Sequence, residues 1–450
     1  MLRNLADNHD ERKVSIALAG GIEALVALVR DGSPDGKAMA ARVLHILSIN
    51  DEGRSVLVLA AGGIQALVAL ARNSSPDGTS EAAAVLRNVA DGHDERKASI
   101  AAAGGIEALV APVRDGSPDG KEMAAVVLWI LAKNDDGRSA WIAAAGGNEA
   151  LGALVRDGSP DAKAMAAELL RDLADDHDKR KESIASAGGI EALVALVRDG
   201  SLEGKAVAAG ALAYLSDDDG RKASVAAAGG IEALVALVRD GSLDGKEIVA
   251  VTLAFLSYDD GRKALVAAVG GIEALVALAR DGSPDGKSEA ARVLHILSIN
   301  DNGRKASIAS VGGIEALVAL LRDGSPDGMA TAAGALYHLS SNDDGRSASI
   351  ATAEGIEALV ALVSEGPPAA RLRRRGRCET CHMTTTEEAR RSRRRVASRR
   401  WWSWCVTARW RASRWRRGRW PTCLTTIERR RRSRRRAASR RWWRWCVTAR

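Results

Sequence analysis

The sequence predicts an all-α solenoid, in which copies of one short three-helix unit stack and share a continuous core. Three observations lead there. The stretch GGIEALVALVRDGSPDGK, Gly20 to Lys37, returns almost unchanged down the chain. The Ile of its GGI signature, or its substitute, falls at Ile22, Ile64, Ile106, Asn148, Ile190, Ile231, Ile272, Ile314 and Ile356, always 41 or 42 residues apart. Self-similarity at such a period marks stacked supersecondary units. Within a copy, apolar residues recur at helical spacing, with capping and turn residues at fixed places between them.

The copy from about Asn50 to about Asp91 shows the unit in order. A short first helix runs from Glu52 to Ala61. Gly62 and Gly63 end it, because Gly tolerates the left-handed conformation that closes a helix. The second helix, IQALVALAR, puts Ile64, Leu67, Val68 and Ala71 on one buried face. The third opens at Ser75-Pro76-Asp77: Ser caps the helix, Pro suits its first position, and Asp favours its positive end. The apolar face continues through Ala82, Val85, Leu86 and Val89. Ala-rich faces allow close approach, and each unit hides its apolar side only against its neighbours.

Some copies depart from this plan. Pro112 lies inside a second helix and is expected to kink it, at about 3 kcal/mol if unsupported. Asn148 replaces the buried Ile and is expected to loosen the fourth unit. ARVLHILSIN occurs identically at 41–50 and 291–300, which points to duplication. LRNLAD at 2–7 matches LRNVAD at 86–91, so the chain begins inside a unit. A fragment, or an array without an N-terminal cap, is the expectation.

The array is predicted to occupy residues 1–366 and to end near Gly366-Pro367-Pro368. Residues 367–450 are a different kind of sequence. The last 80 residues hold 29 Arg, no Lys, four Glu, all five Cys and nine of the eleven Trp. Their net charge of +25, taken from the total of +8, leaves −17 on residues 1–370. This tail repeats too: VASRRWWSWCVTAR at 396–409 and AASRRWWRWCVTAR at 437–450 lie 41 residues apart, the period of the body. Suitable synonymous codons for GGIEALVALVRDG, read one base late, spell AASRRWWRWCVT, which is Ala437 to Thr448. The tail therefore reads as further units translated out of frame, and its charge without an apolar face predicts disorder. Such a segment would adhere to polyanions non-specifically, and no evolved nucleic-acid site is expected in it.

A unit of about 42 residues with a short helix, AAGGI, a second helix, then S-P-D and a third helix resembles the armadillo repeat. The resemblance covers about residues 1–365, in eight full units plus partial ends. It implies a right-handed superhelical solenoid without enzymatic activity, whose third helices line a concave groove that holds extended protein or peptide segments. The acidic body would favour basic partners. An importin-alpha-like import adaptor, a vacuole-type membrane tether and a ubiquitin-ligase scaffold are the alternatives within the resemblance. The body has no Cys and so no disulfide framework. The N-terminus has no signal-peptide core and no Gly at position 2. No apolar run approaches the ~18 residues of a membrane span. A cytoplasmic or nuclear protein is expected.

Chemistry-bearing motifs dissolve on inspection. GSPDGK followed by Ser288 has three residues between Gly282 and the GK pair, where a P-loop has four, and a helix precedes it where a P-loop needs a strand. Cys378-Glu-Thr-Cys381-His382 has the haem-attachment spacing, but it falls in the out-of-frame tail. The Asp-rich turns such as DDDG and NDEG lack EF-hand spacing and read as helix caps. His9, His93 and His177 recur in equivalent loops, as His45 and His295 do in equivalent helices. Residues that recur with the repeat are structural or surface positions, whereas a catalytic site needs unlike groups that converge. No catalytic residue, metal ligand or cofactor is expected.

Many armadillo proteins carry Trp and Asn four residues apart on the third helix, the Asn holding the partner's backbone. The matching pairs here are Arg42 and Ile46, Ala84 and Asn88, Val126 and Ile130, Glu168 and Asp172, Gly210 and Tyr214, Val251 and Phe255, Arg292 and Ile296, and Gly334 and His338. Asn88 and Asn4 keep the Asn; no unit keeps the Trp. The candidate groove residues are therefore Arg42, Asn88, Glu168, Asp172, Tyr214, Phe255, Arg292 and His338. The body's aromatics, Trp129, Trp141, Tyr214, Phe255, Tyr258 and Tyr337, all but Trp141 lie on or just after a third helix. The rings either anchor a partner, with Tyr214 and Phe255 flanked by Glu168, Asp172 and Arg292, or fill the core between units.

Overall fold

The computed structural model describes residues 10–364 except Ser74, Asp175, Asp176, His177 and Asn342. The readings for Asn4, His9, His177 and the Arg/Trp tail lie outside the described residues. Among the described residues every regular element is a helix. Eight triplets follow one another, from Asp10–Leu18, Gly21–Asp31 and Pro34–Ser48 to Asn302–Ser310, Gly313–Asp323 and Pro326–Ser340. A ninth unit contributes Asp344–Thr352 and Gly355–Ser364.

The local chemistry matches the predicted unit closely. In the second unit the helices span Glu52–Ala60, Gly63–Asn73 and Pro76–Ala90. The two glycines between the first pair do different work. Gly62 is left-handed, with φ +72°. Gly63 already begins the next helix; a Cβ there would lie 2.5 Å from the Val58 carbonyl oxygen and from Val58 Cγ1. One glycine supplies the turn and the other permits close contact. At the third helix, the Ser75 hydroxyl accepts from the Gly78 amide, with Pro at the first helical position. Ser33, Ser117, Ser201, Ser242, Ser283 and Ser325 accept the equivalent amide in the same way, with Leu in place of Pro after Ser201 and Ser242.

Packing joins like to like. Each third helix packs on the second helix of its own unit and on the third helices of adjacent units, and second helices pack along a parallel row. Ala82, Ala83, Ala124, Ala125, Ala166 and Ala167 are completely or almost completely buried along the third-helix row. Methyl-sized side chains allow these helices to approach closely.

The Asp-rich turns form a recurring clamp. Asp51, Asp135, Asp218, Asp259, Asp301 and Asp343 each accept from the backbone N–H of an arginine three residues on. The Nε of that arginine donates to a carbonyl at the end of the preceding third helix: Arg54 to Leu47 at 2.5 Å, Arg138 to Leu131 at 2.6 Å, Arg304 to Leu297 at 2.9 Å. A cation is thus set on carbonyls that the helix leaves unpaired. The same guanidinium also reaches the preceding unit, as in Arg180 to Asp136 at 3.2 Å and Arg262 to Asp219 at 3.4 Å. The turns are caps, as predicted, and they also tie neighbouring units together.

The two irregular units behave differently. The helix Gly105–Asp115 runs through Pro112 over the same eleven residues as its counterparts, with Pro112 buried. Asn148 is fully buried. Its Nδ2 donates to Ser183 Oγ at 2.8 Å in the next unit, and its Oδ1 accepts no hydrogen bond. Four residues on, Gly152 stands where the other second helices carry Val26, Val68, Val110 or Val194.

Candidate partner-binding face

The predicted residues lie on successive third helices, and four of them, Arg42, Asn88, Asp172 and His338, reach across to the adjacent third helix. Asn88 Nδ2 donates to Ser48 Oγ at 3.0 Å and lies 3.5 Å from the His45 carbonyl oxygen. The amide that would hold a partner's backbone thus binds the unit before it. Arg42 is exposed and lies 3.5 Å from Glu81, which also approaches His45 at 3.4 Å.

The fourth unit holds the densest cluster. Arg171 donates to Glu168 at 3.1 Å and to Asp172 at 2.9 and 3.1 Å. Asp172 accepts from Trp129 Nε1 at 2.9 Å, and Lys133 sits over the Trp129 ring, 4.8 Å from its centre. Burial raises the Glu168 carboxyl above the usual carboxylate range, and Asp172 adds to the rise against the pull of Arg171. Desolvation disfavours the charged form of a group with so little water. Arg171 is itself half-buried; desolvation pulls its pKa down, but Asp172, Glu168 and Tyr214 outweigh it and keep the charge in place. The predicted acidic pair is therefore largely neutralised by an arginine that sequence reasoning did not single out. Its visible signal was Arg171 between the two acids, three residues from one and adjacent to the other.

Farther along, Arg292 pairs with Glu289 one turn back on its own helix. His338 stacks on His295 of the preceding unit, with ring centres 5.1 Å apart, and Tyr337 meets His338 edge-on at 5.3 Å. Gly334 makes room for this: a Cβ there would sit 3.2 Å from the His295 ring. Burial, and then the Lys305 charge, lower the His338 pKa below its ordinary value. The aromatic residues divide. Trp129 and Tyr214 are partly buried between units, whereas Phe255, Tyr258 and Tyr337 are exposed. Lys222 lies 5.7 Å from the centre of the Tyr258 ring.

The repeating triplet, its glycine junction and the stacked third helices are those of a known motif. Residues 50–91 and 177–217 match the armadillo/beta-catenin-like repeat. These are armadillo-type repeats. The crystal structure of an engineered protein from a structural genomics consortium superposes with a TM-score of 0.71 and 29% identity, over 82% of this chain and 91% of that one. A second engineered protein aligns at 29% identity and a TM-score of 0.48, over 52% of this chain and 96% of that one. No curated protein matches the sequence.

An armadillo solenoid is a typical protein-interaction scaffold. This one presents a third-helix face whose polar side chains are mostly tied to one another and whose exposed aromatics cluster in the sixth and eighth units. Among the described residues, no single helix is long and apolar enough to cross a membrane.

Proposed function

We propose that this chain is a non-enzymatic scaffold that holds extended protein segments along its row of third helices. The supporting observation is that Phe255, Tyr258 and Tyr337 stay exposed on or just after third helices in an array with an otherwise well-filled aliphatic core. Large rings that contribute little to the core are suited to anchoring a partner, since aromatic side chains dominate interface energetics. Basic segments are favoured by the charge of −17 on residues 1–370, although Arg171 offsets Glu168 and Asp172, and Arg292 offsets Glu289. Asn88 lends no support to an importin-alpha-like reading, because its amide is engaged by Ser48.

The test compares the wild-type chain with a Phe255→Ala, Tyr258→Ala, Tyr337→Ala variant in affinity capture and in titrations with the captured segments. The expected result is unchanged helical circular dichroism with binding weakened at least tenfold. Loss of folding in the variant would mean that the rings support the array, and unaffected binding would place the partner elsewhere; either would overturn the reading.

A further inference from the structure

One residue interrupts a ladder of charge that joins neighbouring units. The acid that opens a first helix faces the arginine in the first turn of the next first helix along the stack. Arg96 meets Glu52 at 3.3 Å, Arg138 meets Asp94 at 4.0 Å, Arg180 meets Asp136 at 3.2 Å, Arg262 meets Asp219 at 3.4 Å and Arg304 meets Asp260 at 3.5 Å. In the eighth unit the residue at the acid position is Asn302. The arginine that should face it, Arg346, is held as Arg304 is. Arg304 directs Nε to the Leu297 carbonyl at 2.9 Å and Nη1 to Asp301 at 3.1 Å; Arg346 directs Nε to the Leu339 carbonyl at 2.7 Å and Nη1 to Asp343 at 2.8 Å. The Nη2 of Arg304 then reaches Asp260, whereas among the described residues Arg346 pairs with Asp343 alone.

Asn302 is followed by Gly303, and the dipeptide Asn-Gly occurs nowhere else in the chain. Both residues are exposed. The Gly303 amide lies in the first turn of Asn302–Ser310, where a helix leaves its N–H groups without an intrahelical acceptor. That nitrogen gives up no helical hydrogen bond in order to react, and Gly303 has no side chain to crowd its approach to the neighbouring amide.

We propose that Asn302 is a site of spontaneous deamidation, and that the aspartate it yields completes the ladder by pairing with Arg346 of the ninth unit. When the first turn opens, the Gly303 nitrogen attacks Asn302 Cγ. The N–Cγ bond forms, the Cγ–Nδ2 bond breaks, and ammonia leaves with the proton of the Gly303 amide. Water then opens the cyclic imide. Cleavage of the new N–Cγ bond gives aspartate; cleavage at the main-chain carbonyl gives isoaspartate, whose backbone runs through the side-chain carbon and cannot re-form the turn. Nothing is oxidised or reduced, and water is the only co-reactant. The aspartate places a negative charge at a helix N-terminus, where the helix dipole favours it, and opposite the Nη2 of Arg346. The proposal is independent of partner binding along the third helices.

The full chain, held at mildly alkaline pH and then digested, tests the reaction by mass spectrometry of its asparagine-containing peptides. Asn302 should convert well before Asn50, Asn134 or Asn300. Gly303→Ala should slow it roughly tenfold by restricting the backbone, and the fold tolerates a side chain there, since Glu95 and Lys179 hold the same position in other units. Asn302→Asp, made directly, should slow amide exchange in Asp344–Thr352 about two- to fivefold, the effect of a modest ion pair. The gain should vanish in the Arg346→Gln background. It should also shrink in concentrated salt, a readout that stands even where Arg346→Gln loosens the ninth unit. Conversion of Asn302 no faster than that of the other asparagines would overturn the proposal. So would Asn302→Asp bringing no gain, or a gain that persists without Arg346 or in concentrated salt.

Discussion

Replacing Asn148 with Ile should stabilise the fourth unit, and the structure sets the size of the effect. The site is fully buried, and its counterparts hold Ile at 0–5% exposure in seven other units. Burying the Ile side chain contributes about 1.5–3 kcal/mol. Removing the orphaned Oδ1 relieves a desolvation penalty of about 1–3 kcal/mol, and losing the bond to Ser183 costs about 0.5–1.5 kcal/mol. Ser183 can turn back to its own helix, as Ser99 does in donating to the Glu95 carbonyl at 2.9 Å. The balance is a gain of about 1–5 kcal/mol. Room is available nearby, because a Cβ on Gly152 would meet only the Ala187 carbonyl oxygen, at 3.6 Å, and the Arg156 guanidinium, at 3.8 Å. In a repeat array the gain should be local, passing to immediate neighbours through shared interfaces. Amide hydrogen exchange therefore reads it best: protection should rise across Gly147–Asp157 and in the units on either side. Unchanged or reduced protection there, with the fold intact, would refute the reasoning, since it would mean that the unit has repacked around Asn148 and cannot take a branched chain.

Two further predictions rest on buried charge. The folded state holds the Glu168 carboxyl above its ordinary value of 4.5, so its contribution to stability is complete below that pH and is lost as pH rises through the raised value. Glu168→Gln should lose this dependence, and urea midpoints measured from acidic to neutral pH should show wild type falling relative to the variant. Asp217 has the opposite sign. Burial would raise its carboxyl, but hydrogen bonds and charge from Lys181 and Arg221 outweigh it, so its stabilisation is lost only as pH falls below the ordinary carboxylate range. Arg221→Ala should destabilise the fifth and sixth units by about 1.5–3 kcal/mol, the range for a hydrogen bond to a charged group. It removes the donor to the Leu215 carbonyl at 2.8 Å and the partner of Asp217 and Asp218. Lys should not rescue it, because only the guanidinium fork reaches the carbonyl and both carboxylates at once; equal unfolding curves for Lys and Arg would count against the clamp.

Much of the fold was legible because its signals are local and repeated. Ser75-Pro76-Asp77 announces a helix start through capping chemistry that needs no distant partner, and the third helix begins at Pro76. In the sequence Gly62 and Gly63 look alike as terminators, but their roles differ: one adopts positive φ, while the other admits Val58. That second role depends on what lies opposite, which no single copy reveals. Pro112 shows the same limit, since the helix keeps its full length around a residue that would break an isolated one. The third-helix face was less legible. Register puts Asn88, Glu168 and Asp172 on third helices, but that Ser48 engages Asn88 and that Arg171 folds onto both acids is evident only from the packed side chains.

The sequence by itself determined the unit, its helix boundaries and the order of stacking, because capping, helical period and glycine conformation act within a few residues and recur in every copy. The tertiary structure decided which polar side chains remain available. A residue on one third helix meets a residue some forty positions away on the next, and only their juxtaposition shows that Trp129 binds Asp172 and that His338 lies on His295, while Phe255 and Tyr258 face outward. Capping is chemistry within a segment, whereas availability is a property of the joint between segments.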